Sequence, residues 1–148
     1  MFLNSWDKYR DSGLLLLRVG LGLMFIYHGY PKILGGTAGW EKLGSLAMQH
    51  VGITAYPMFW GFMAAFAEFF GGILLILGLF TRLACIMLVC NLAIAANLKF
   101  STGLGLAGAA PAIEDGIIFL SLILIGPGKY SLDNKFSKPP VVRLRYCR

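Results

Sequence analysis

Residues 59–82, FWGFMAAFAEFFGGILLILGLFTR, hold twenty-two uncharged side chains around one carboxylate, Glu68. A helix of this length crosses a hydrocarbon core of about 30 Å at about 1.5 Å per residue, which puts Glu68 near the midplane. A carboxylate at that depth is costly and persists only beside a partner or a water-filled cavity. Ala64, Glu68, Gly71 and Gly72 follow i, i+4, i+7, i+8 spacing and share one face. Small residues on that face let a second backbone approach closely. Glu68 is therefore expected to meet a neighbouring helix rather than lipid, and the chain must supply its partner.

The rest of the sequence has the same character. Apolar residues make up 57% of the 148 and charged residues only 14%, against about 25% charged in soluble domains. The expected fold is all-α and integral to the membrane: a single domain over 1–148 built as a four-helix transmembrane bundle. The predicted spans are 13–30, 59–80, 83–98 and 111–126. Arg18 inside the first span, and Tyr30-Pro31-Lys32 after it, argue for a retained helix rather than a cleaved signal. Pro31 is expected to end or bend that helix. Residues 33–57 are too polar and glycine-rich to span, but Trp40, Leu43, Leu46, Ala47 and Val51 predict a short interfacial helix between the first two spans. Thr81 is placed to cap the third helix and Pro111 to start the fourth, with a Gly/Ala loop at 99–110 between them. Gly126-Pro127-Gly128 stops the last span, and 127–148 reads as a basic cytoplasmic tail.

The net charge of +6 would point to nucleic acid in a soluble chain. Here it sorts by topology instead. Nine Lys and Arg residues (8, 10, 82, 129, 135, 138, 143, 145, 148) flank one side of the spans, and three (32, 42, 99) the other. The charge rule then puts both termini in the cytoplasm, and an even number of spans agrees that they lie on one side.

Counting rise per residue, the ionisable groups fall into two layers. Arg18, Asn91 and Glu68 lie about 9, 12 and 15 Å from the cytoplasmic edge and form the inner layer. Arg18 shares a stripe with Gly22, Phe25, Gly29 and Lys32, so an ion pair from Arg18 to Glu68 is expected. His28, Lys32, Asn97, Glu114 and Asp115 form the outer layer, a mix of donors and acids suited to holding and protonating a carbonyl. Each layer also has a plainer reading: a structural ion pair that fixes helix order, and acids that complement a helix dipole.

Other chemistry is poorly represented. Gly103, Gly105 and Gly108 spell GxGxxG between membrane spans, with no strand before them, so they do not mark a dinucleotide site. The two histidines, His28 and His50, are not both on spans, which argues against bis-His haem. No metal-ligand spacing appears. Cys85, Cys90 and Cys147 form neither a CxxC nor an even framework, and the first two read as packing residues.

Arg18-Val19-Gly20 followed by His28-Gly29-Tyr30-Pro31-Lys32 resembles the opening helix of the DoxX family. Glu68-Phe69-Phe70-Gly71-Gly72 and Leu77-Gly78-Leu79-Phe80-Thr81-Arg82-Leu83-Ala84 are similar to that family's second and third helices. Gly126-Pro127-Gly128-Lys129-Tyr130-Ser131-Leu132-Asp133 resembles its exit signature. The family takes its name from the small subunit of a thiosulfate:quinone oxidoreductase, and other members are associated with membrane redox-defence complexes. The resemblance implies a multi-pass protein of the bacterial inner membrane and a quinone-linked setting. In that setting the chain is the membrane subunit or anchor of an oxidoreductase, with no cofactor of its own and quinone as its ligand. Its expected partners are the bilayer, a redox subunit and a second copy of the chain, not nucleic acid. A small proton-coupled carrier, or an assembly protein without turnover, are the alternatives.

The charge count predicts that a reporter fused after Arg148 is active only as a cytoplasmic fluorescent protein. A periplasmic phosphatase signal there would overturn the orientation.

Overall fold

The computed structural model describes residues 8–137. Residues 1–7 and the end of the tail, with Lys138, Arg143, Arg145, Cys147 and Arg148, lie outside the described residues. Six α-helices follow in order: α1 Arg10–Leu34, α2 Gly36–Met48, α3 Pro57–Leu77, α4 Thr81–Ser101, α5 Gly105–Ile125 and α6 Leu132–Ser137. A 3-10 turn, Gln49–Val51, follows α2. Of these, α1, α3, α4 and α5 are long and apolar enough to cross a membrane.

The buried face of α1 is Leu14, Arg18, Gly22, Phe25 and Gly29, the stripe expected from helical spacing. Its glycines set the contact with α3. A Cβ on Gly22 would lie 2.7 Å from the Gly72 carbonyl oxygen, and one on Gly29 would lie 2.5 Å from the Phe69 nitrogen. Only glycine lets the two backbones come this close, which is how helices associate where lipid removes the hydrophobic driving force. Phe25 leaves the stripe in another direction and meets Phe119 of α5 edge-on, with ring centroids 5.1 Å apart. Leu75, Leu88, Phe119 and Leu122 complete the core without exposure to solvent.

Several helix ends differ from the sequence reading. α1 runs through Pro31 to Leu34. The proline sits in the last turn, where the missing donor interrupts little of the ladder. α5 begins at Gly105 rather than Pro111, after a turn with positive φ at Gly103 and Gly105. Pro111 is thus inside the helix, on its exposed side. α2 is the helix expected between the first two spans, and it lies along the start of α3. A Cβ on Gly44 would clash with the Pro57 carbonyl, and one on Gly61 with that of Trp40. The Trp40 indole donates to the Lys32 carbonyl at 2.9 Å and its ring meets Phe62 at 5.0 Å, pinning α2 to both neighbours.

The opposite end of the bundle is closed by residues 126–133 rather than by a free tail. Gly78, in the left-handed region at φ 63°, ends α3, and Phe80 follows at φ 47°. A non-glycine residue in that region is strained and needs fixing from outside. Asp133 provides it by accepting from the Phe80 and Thr81 amides at 2.7 and 2.8 Å. The cap of α4 is therefore a carboxylate fifty-two residues downstream. Thr81, expected to be that cap, is instead buried, and its Oγ1 has no partner.

Gly61→Ala should lower stability in detergent by about 1–3 kcal/mol through overpacking. Gly116→Ala, where an added Cβ meets nothing within 4 Å, should raise stability slightly, by up to about 1 kcal/mol.

Candidate functional site

The register of α1 on α3 decides which cation reaches Glu68. Gly29 lies against Glu68 and Phe69, so Arg18, eleven residues earlier, is displaced along α1 by about 16 Å. Helical side chains also tilt toward their own N-terminus. That tilt carries Arg18 further from Glu68 and brings Lys32, near the end of α1, back toward it. The expected Arg18–Glu68 pair is therefore not formed. Lys32 Nζ donates to Glu68 Oε1 at 2.5 Å and to Oε2 at 2.6 Å. Asn91 of α4 donates through Nδ2 to Oε1 at 2.8 Å. Lys32, assigned by depth to the outer layer, thus joins Glu68 and Asn91 of the inner one.

Burial makes this a consequential pair. The Glu68 side chain is 9% exposed and that of Lys32 34%. Removing either partner strands a charge in a low-dielectric interior, which costs more than the intact pair contributes. The pair also connects α1 to α3, and Asn91 extends it to α4.

The three polar groups stand at the wall of a cavity between α2, α3 and α4, with a volume of about 480 Å³. The rest of its lining is nearly all apolar, including Met48, Ala64, Met87 and Ile94. Cys90, one residue before Asn91, lines it with a free thiol, whereas Cys85 is buried in the core. Depth counting cannot reveal this cavity, because α2 forms one of its walls and was expected to lie on the surface.

Arg18 has a different environment. It is fully buried, and its Nη2 donates to the Tyr130 carbonyl at 2.5 Å. A Cβ on Gly78 would collide with its guanidinium. Arg18 thus holds the 126–133 segment against the bundle end, where the Asp133 amide also donates to the Gly78 carbonyl at 2.9 Å. The remaining outer-layer residues do not converge with Lys32. His28 is exposed and lines a shallow groove with Leu23, Ile26 and Tyr30. Asp115 lies one turn from the Phe25–Phe119 contact, beside the exposed Glu114. Asn97 is exposed near the end of α4, where its carbonyl accepts from Ser101.

The DoxX family model matches residues 13–101. An uncharacterized protein of Haemophilus influenzae is 34% identical, over 92% of this chain and 99% of its own. The inner membrane protein YqjF of Escherichia coli is 28% identical over 88% of this chain and 97% of its own. A Bacillus subtilis protein named "Putative oxidoreductase CatD" is 31% identical over 58% of each chain. No solved structure matches the chain.

Lys32→Met and Glu68→Gln should each cost stability, toward the lower end of about 3–5 kcal/mol because Lys32 keeps some solvent. The double variant should recover part of the loss, whereas Arg18→Met and Glu68→Gln should add independently. Thermal unfolding of the single and double variants in one detergent measures both cycles.

Proposed function

The chain belongs to the DoxX family, and we propose that it is the membrane subunit of a quinone-linked oxidoreductase, with the quinone headgroup held by Lys32, Glu68 and Asn91. The carrying observation is an apolar cavity whose polar wall is this one donor–acceptor set. A quinone carbonyl needs a donor, which Lys32 Nζ and Asn91 Nδ2 provide, and a hydroquinone hydroxyl needs an acceptor, which Glu68 provides. Ile86, Met87, Ile94 and Leu98 offer an apolar wall to an isoprenoid tail.

When bound, a quinone supplies two-electron, two-proton chemistry that the side chains here lack. The chain's own part is to orient the headgroup, exclude water and exchange protons. Glu68 accepts a proton at a carboxylate oxygen, and Lys32 compensates its charge in the ionised state. The electrons come from a partner subunit with its own redox centre. The name of the Bacillus subtilis relative supports a redox setting. Two Escherichia coli relatives, YqjF and YphA, are named inner membrane proteins and support the same location for this chain.

Cys90 gives a direct test. In a Cys147→Ser variant it is the accessible thiol, since Cys85 is buried. A short-chain ubiquinone or menaquinone analogue should slow maleimide labelling of Cys90. Asn91→Leu should weaken that protection about tenfold, the effect of losing one hydrogen bond to a charged or strongly polar group. His28→Ala should leave it intact. Unchanged labelling at saturating analogue would remove quinone from the site, and proton-coupled solute flux in liposomes would then favour a carrier.

A further inference from the structure

A second cavity, of about 720 Å³, opens at the other end of the bundle, where α1 and α4 begin and α5 ends. Its rim carries Arg10, Arg82 and Lys129. The two carboxylates there are already engaged. Asp133 accepts from the Phe80 and Thr81 amides. Asp11 accepts from the Lys129 amide at 3.0 Å, and its other oxygen lies 3.4 Å from Lys129 Nζ. Arg10 and Arg82 form no ion pair among the described residues. Against the same cavity lies the fully buried Thr81, whose hydroxyl has no hydrogen-bond partner. The cationic rim continues into Leu83 and Ile125, both about half exposed on the membrane-spanning helices.

We propose that this cavity binds an anionic phospholipid, with its phosphate between Arg10 and Arg82 and an acyl chain along Leu83 and Ile125. A phosphate offers oxygens to two guanidinium groups in the geometry that arginine favours. The adjoining apolar side chains distinguish a lipid from a free phosphate. The site is independent of the Lys32–Glu68 cavity, so its occupancy does not depend on the quinone reading.

Native mass spectrometry of protein released from nanodiscs of phosphatidylglycerol and phosphatidylcholine tests the assignment. Phosphatidylglycerol should be retained preferentially. Arg82→Gln should weaken that preference about fivefold, the contribution of one basic residue at a charged membrane surface, and Arg10→Gln with Arg82→Gln should abolish it. Neither arginine makes a hydrogen bond that holds the fold among the described residues, and unchanged thermal unfolding in detergent confirms that the variants are folded. Equal retention of both lipids, or a preference that survives the double substitution, would overturn the proposal. So would glycerol 3-phosphate competing as well as the intact lipid, because the acyl chain would then contribute nothing.

Discussion

The close approach of α1 to α3 through glycine governs the rest of the molecule. Gly22 rests on Gly72 and Gly29 rests on Phe69, with no room for a methyl group at either place. In lipid, apolar surface gains nothing by meeting other apolar surface, so association depends on contact area and on polar groups that find each other. Two glycine contacts about two turns apart fix the sliding register as well as the separation. Once that register is set, Lys32 must lie beside Glu68, and Arg18 must fall beyond the end of α3. A shift of one helical turn would leave Glu68 without its cation.

The same register explains why the two ends of the bundle are built differently. Beyond the end of α3, the segment after α5 covers α1, with Gly128 against Leu14 and the Lys129 amide bonded to Asp11. It does so with backbone and carboxylate groups: Tyr130 takes Arg18 through its carbonyl, and Asp133 caps α4. At the other end α1 stops at Leu34, and α2 continues along α3 after a break at Gly35 and Gly36. That break turns α2 over the mouth of the space between α3 and α4. Leu43, Gly44, Ala47 and Met48 of α2 thereby become part of the cavity wall.

Much of this was legible in the sequence because it follows from apolarity and period. Four long apolar runs specify four spans, and the Arg18–Gly22–Phe25–Gly29 stripe specifies the face of α1 that is buried. Helix ends were less legible. Polar turns such as those of α2 extend helices beyond the apolar runs, and Pro111 marks a start only when no glycine turn precedes it. The partner of Glu68 was not legible by depth, because depth assumes that every span begins at the same plane. The tilt of helical side chains toward the N-terminus was the available signal, since it directs Lys32 inward and Arg18 outward. The cap from Asp133 lies fifty-two residues from its acceptor helix, and no local pattern at Thr81 announces it.

Two cations are placed within the bundle, and their chemistry suits their positions. The guanidinium of Arg18 keeps its proton at any accessible pH, so it serves as a fixed charge held by a backbone carbonyl. It cannot pass protons and stands away from the α2–α3–α4 cavity. The ammonium of Lys32 is a compact charge on a flexible stem, and it shares the cavity wall with the Glu68 carboxylate and Asn91. Exchanging these roles would fail at both ends. A lysine at position 18 would lack the planar group that packs under Gly78 while its Nη2 reaches the Tyr130 carbonyl, and an arginine at position 32 would bring a bulkier planar head to the cavity wall. The division between a buried guanidinium at the bundle end and a lysine–carboxylate pair at the cavity follows from which residue type the register brings to each depth.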